Sequence, residues 1–146
     1  MRSAYRVLAY LIATGVVIQA AAIAYAWFAV IDKIDGGAVL DENWEGNAGH
    51  AVHGIVGISA IPLLALILLV VSFFAKVPNG VKWAGGIFAL VVAQVLLAFI
   101  SFGAPGLGVL HGIFALALFA VAFMAGHRVV TTPRTPVATS AGATVQ

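Results

Sequence analysis

Residues 54–75 read GIVGISAIPLLALILLVVSFFA, twenty-two positions without a charge. Wound as α-helix at 1.5 Å per residue they extend about 33 Å, enough to cross the ~30 Å hydrocarbon core of a bilayer. A membrane-barrel strand would alternate apolar and polar residues, and this stretch does not. It predicts a membrane-spanning helix, and the chain repeats that prediction three times. Apolar runs from Val7 to Ile31, Trp83 to Phe102 and Val109 to Gly126 are each close to the roughly 20 residues that a helical span requires. The last is the shortest, and the uncharged approach from Ala104 to Gly108 extends it.

A chain of 146 residues that is 63% hydrophobic, 8% charged and has a mean hydropathy of +1.12 has the composition of a membrane protein. Helix is favoured because unsatisfied backbone groups cannot face lipid. The expected fold is all-α: a polytopic membrane four-helix bundle over residues 1–130, with helices at about 7–31, 48–75, 83–102 and 108–127. The tail 131–146 is polar, small and proline-containing, too poor in apolar residues to fold by itself.

Arg2 and Arg6 before an apolar run, with Ala24-Tyr25-Ala26 resembling a cleavage site, imitate a signal peptide. The run outlasts the usual 7–15 residue core of such peptides and continues through Trp27, Phe28, Val30 and Ile31, so an uncleaved first helix is expected. Cysteine is absent, which excludes disulfides, thiolate metal sites and cysteine redox chemistry.

Charges sort by loop. Arg2, Arg6, Lys76, Lys82, Arg128 and Arg134 fall at the N-terminus, between the second and third spans, and after the fourth. All five acids, Asp32, Asp35, Asp41, Glu42 and Glu45, fall in the first loop with Lys33 as its sole basic residue. The positive-inside rule then predicts both termini inside and the acidic loop outside, in a bacterial cytoplasmic membrane. The formal charge of +2 carries no implication of nucleic-acid binding, because it is divided between two membrane faces. Gly36-Gly37 and Glu45-Gly46-Asn47 favour turns in the outer loop. Val77-Pro78-Asn79-Gly80 is a short turn, and SFGAPGLG, from Ser101 to Gly108, an uncharged outer connection.

Histidine distribution carries the functional expectation. AGHAVHGIVG, from Ala48 to Gly57, puts His50 and His53 one helical turn apart, and HGI recurs at His111-Gly112-Ile113. The second and fourth spans both run from outside to inside, so His50, His53 and His111 lie near one level in the outer third of the bundle. Two imidazoles at matching depth on separate helices are what six-coordinate haem iron requires. The expected metal ligands are His53 and His111, with His50, nearer the aqueous edge, as the alternative to His53. Gly54 and Gly112 would let helix backbone approach the macrocycle, and Gly57 would clear the next position on the His53 face. Asn47, Gly49 and Lys33 could accompany propionates. The competing reading is that membrane histidines simply bond helix to helix, and His127 beside Arg128 reads as interfacial.

Gln19 and Gln94 are one mid-span glutamine in each of the first and third helices. They are candidates for packing, for bonding to one another, or for lining a quinone pocket. With HGI in the second and fourth, they suggest two helical hairpins related by a pseudo-repeat. Pro62 is expected to bend the second helix about two turns below His53.

GHAVHG around His53 and GVLHG around His111 resemble the outer-end histidines of small four-helix b-type cytochromes. More loosely they resemble one four-helix half of the bacterial haem A synthase family. That resemblance implies an internally duplicated fold with histidines on the second and fourth helices. It also implies a catalytic carboxylate near the first histidine, and here positions 46 and 49 are glycine, with Glu45 eight residues before His53. No catalytic residue is therefore assigned. The expectation is a membrane electron-transfer protein holding one bis-His haem b, or a haem-bearing accessory subunit of a respiratory complex, surrounded by lipid. Quinone, respiratory-complex subunits or a second copy of the chain are possible partners. The alternatives are a cofactor-free structural subunit and an oxidoreductase acting on quinone or haem.

Overall fold

The computed structural model describes residues 1–131. Helix order is α1 (Arg2–Asp35), α2 (Ala48–Ile55), a π-helical turn (Val56–Ala60), α3 (Ile61–Ser72), α4 (Gly80–Gly103), a 3-10 turn (Pro105–Leu107) and α5 (Gly108–Thr131). The α2, π and α3 segments form one continuous helix. Among the described residues there is no strand, and four helices are long and apolar enough to cross a membrane. This is the architecture of a multi-pass membrane protein. All but the first residue of the expected tail lies outside the described residues.

Helix ends follow local chemistry rather than the limits of the apolar runs. α1 continues past Ile31 through the charged residues to Asp35, 34 residues in all and about 51 Å. It stops where Gly36 and Ala38 donate backbone N–H bonds to Asp32 and Lys33 and Gly37 adopts a left-handed φ of 90°, a conformation glycine takes without steric cost. α4 starts at Gly80, three residues before Trp83, after the Val77–Gly80 turn closed by a 2.8 Å backbone bond. It runs to Gly103, so much of the connection expected from Ser101 onward is helix. Pro62 stands just inside α3, immediately after the π turn. Lacking an N–H, it cannot bond the carbonyl of Ile58 as an α-helix would require, which accounts for the wider turn forming there.

The four helices close a ring in which α1 packs on α2, α3 and α5, and α4 packs on α3 and α5. Tyr5 bonding Gly80, and the Arg128 guanidinium lying 5.1 Å above the Trp83 ring, bring the N-terminus, the start of α4 and the end of α5 to one end. The loop 36–47 is at the other. The main apolar core is gathered towards the termini end: Tyr5, Ile12, Leu68, Ile87 and Ala122 are fully buried, and the cluster reaches a last layer of Val16, Ile61, Val91 and Leu118. Nearer the loop end, the buried positions among the described residues are Gln19, Ala26, Val30, Gly49 and Gln94.

Tyr5 is a useful probe of this core. Its hydroxyl donates to the Gly80 carbonyl at 3.1 Å, tying α1 to the first residue of α4. Tyr5→Phe keeps the ring and removes the bond, so thermal unfolding in detergent is expected to show a loss of about 1 kcal/mol, with helix content unchanged.

Candidate functional site

Above the last apolar layer, α2 is fastened to α1 by its own first residues. Asn47 caps the helix, its side-chain oxygen accepting the N–H groups of Gly49 and His50 at 2.9 and 3.3 Å, the usual service of an N-cap asparagine. The same side chain donates through Nδ2 to the Ala26 carbonyl at 2.9 Å. Gly49 lies hard against α1: a Cβ built there would stand 2.5 Å from the Ala22 carbonyl oxygen and 2.9 Å from the Ala26 nitrogen. Cap and contact together fix the height and rotation of α2.

One turn further along, His53 meets α1 again, its Nδ1 3.1 Å from the Gln19 carbonyl oxygen. On the opposite hairpin, His111 Nδ1 is 3.1 Å from the Gln94 carbonyl oxygen. A carbonyl can only accept, so each Nδ1 carries a proton, and in the neutral ring the lone pair is left on Nε2. That is the tautomer of a histidine that ligates a metal through Nε2 while its other nitrogen is held by a backbone carbonyl. The two imidazoles are neighbours, with ring centroids 6.2 Å apart and planes inclined at 61°. Both are half-buried.

The expected glycines divide. A Cβ built at Gly54 or Gly112 would meet nothing within 4 Å, and both glycines are exposed. Gly57 faces protein: its Cβ would lie 3.2 Å from Gln19 Oε1, so its missing side chain makes room for that amide. His50 is held apart from the pair. Its Nδ1 lies 3.2 Å from Asn47 Oδ1, and its ring is set edge-on between Trp27 and Trp44, with centroids 5.4 and 5.3 Å away. His127 stacks on Phe123 at the termini end.

The glutamines do more than packing. Gln94 donates through Nε2 to the His111 carbonyl at 3.0 Å, and the two glutamines do not bond one another. Gln19 Nε2 and Gln94 Oε1 are buried without partners. The roles of the Gln19 and Gln94 carbonyls, and the contact at Gly49, were not foreseen from sequence. The asparagine immediately before AGH was the signal available for the cap.

Among the described residues no group of three or more His, Cys, Asp or Glu is placed to hold a metal ion. The donor set at the pair is two imidazoles. Comparison of the chain with protein-family models, with curated proteins and with solved structures finds no match.

Proposed function

We propose that the protein is a membrane electron carrier that holds one haem b between His53 and His111. The observation that carries this reading is the histidine pair: two imidazoles from separate helices, both with Nδ1–H turned to a mid-helix carbonyl and 6.2 Å between centroids. With both Nε2 atoms turned to one iron, two metal–imidazole bonds of about 2 Å, plus about 1 Å from each nitrogen to its ring centre, would add to about 6 Å. A bare zinc ion would want four protein or water donors. Porphyrin supplies four nitrogens itself, so two histidines complete the iron. A loop-end interior with few buried apolar side chains fits a flat apolar ring better than a compact ion.

Such a haem would supply one-electron exchange between the ferric and ferrous states, its potential set by the axial histidines and the surrounding dielectric. The chain's own contribution is to hold both imidazoles in one tautomer and to keep them in an apolar surround. By the distribution of basic residues, the pair lies towards the outer face of a bacterial cytoplasmic membrane with both termini inside. Electrons would then come from quinol or an external redox protein. The matching His–Gln bonds in the α1/α2 and α4/α5 hairpins support a two-hairpin pseudo-repeat. Neither His53 nor His111 bonds a carboxylate in the structure, and haem hydroxylation is not part of this proposal.

The test is a reduced-minus-oxidised spectrum of protein extracted in mild detergent, repeated after titration with haemin. Sharp low-spin b-type bands at one haem per chain are expected. Failure to take up haem under both conditions would overturn the reading in favour of a cofactor-free structural subunit.

A further inference from the structure

We infer that Gln94 is a positioning residue for His111, and that the two histidines are inequivalent: His111 is preset and His53 is the one that adjusts. As a statement about haem ligation this rests on the function proposed above. As a statement about the two imidazoles it stands on the hydrogen bonds alone.

His111 and Gln94 are joined twice. The ring donates to the Gln94 carbonyl at 3.1 Å, and the Gln94 amide donates back to the His111 carbonyl at 3.0 Å. Both ends of this clasp lie in the same two residues, so α5 can neither rotate nor slide past α4 there without breaking a bond. Gln94 is 9% exposed, and in a bilayer interior no water waits to replace a broken bond.

His53 is joined once, by its ring to the Gln19 carbonyl. The Gln19 amide makes no return bond. It rests against Gly57, leaving Nε2 unpartnered, while the His53 carbonyl accepts the Val56 N–H. The cause is the turn below. From Val56 to Ala60 the helix is π, with the Ile61 N–H reaching back to Val56. The geometry that pairs Gln94 with His111 is therefore not reproduced on the other hairpin. Short π segments tend to occur at functional sites, and here one lies directly beneath the less constrained imidazole.

The experiment compares Gln94→Met with Gln19→Met, each of which removes an amide while keeping chain length, first in haem-free protein. Nitrogen NMR of isotope-labelled histidines in micelles should show both rings protonated at Nδ1 in the wild type. Gln94→Met should broaden the His111 signals or mix its tautomers and leave His53 unchanged, whereas Gln19→Met should alter neither. Gln94→Glu, protonated in an apolar interior and so able to donate, should restore the wild-type His111 signals.

In haem-loaded protein, Gln94→Met should weaken haem binding by about 10–100-fold, as changes to groups that orient a metal ligand do, and should shift the midpoint potential. Gln19→Met should change affinity by less than about threefold, because its amide makes no bond to lose. Equal effects of the two variants, or an unperturbed His111 in Gln94→Met, would overturn the inference. If the wild type takes up no haem, the proposed function fails, and the haem-free spectra still decide whether Gln94 positions His111.

Discussion

Gly49→Ala is expected to lower stability more than any other single-methyl change in the loop half of the bundle, by about 3 kcal/mol in detergent unfolding. The added carbon would sit 2.5 Å from the Ala22 oxygen, 2.8 Å from the Ala26 Cβ and 2.9 Å from the Ala26 nitrogen. These are helix backbone and a methyl on it, with no flexible side chain to swing aside. Relief requires moving α2 away from α1. That movement stretches the Asn47 bond to the Ala26 carbonyl and the His53 bond to the Gln19 carbonyl. The damage should therefore spread to the histidine pair, detectable as loss of the fixed His53 tautomer. Gly54→Ala is the control: its Cβ meets nothing within 4 Å, so in haem-free protein it should be neutral or slightly stabilising through helix propensity. A Gly49→Ala protein that unfolds with the wild type would show that the helices do not approach this closely.

This contact also marks how far the sequence could be read. The four spans were legible because about 20 consecutive apolar residues have few competing explanations. Their ends were not: α1 runs four residues past Ile31 to Asp35 and stops only where the chain reaches Gly36 and Gly37, the latter with a φ of 90°. The nearness of His53 and His111 was expected from depth. Their coming within 6.2 Å of one another depends also on rotation, and the rotation of α2 is set by the Gly49 contact and the Asn47 cap, which periodicity does not report in a span that is apolar on nearly all sides.

Pro62 announced an irregularity in the second helix, yet its form, a π turn lying between the proline and His53, depends on where the displaced carbonyls find donors. Gln19 and Gln94 read alike in sequence. They differ in structure because one faces that turn and the other faces regular helix. Gly57 likewise read as space for a ring and stands against the Gln19 amide, since helix-face arithmetic places a residue on a side without saying which neighbour fills it.

His111→Ala is expected to abolish haem retention, with a loss larger than the about 10–100-fold that follows from changing groups around a ligand. The variant removes the imidazole that the α4/α5 clasp holds ready, and α5 offers no second histidine until His127, far along the same helix. His53→Ala should also end six-coordination, with part of the haem retained through His111, because the remaining ligand is the preset one. His50→Ala should leave the six-coordinate spectrum in place. Its ring is occupied with Asn47, Trp27 and Trp44, and its loss is expected to loosen the start of α2 instead. Absorption spectra of the three variants, recorded oxidised and reduced at equal protein concentration, separate the cases. Retention of an unchanged spectrum by both His53→Ala and His111→Ala, with loss in His50→Ala, would reject the ligand pair even with haem present. Loss in all three would instead point to the bundle's loop end as a single unit, in which the tryptophan-held His50 is as necessary as the imidazoles it helps to place.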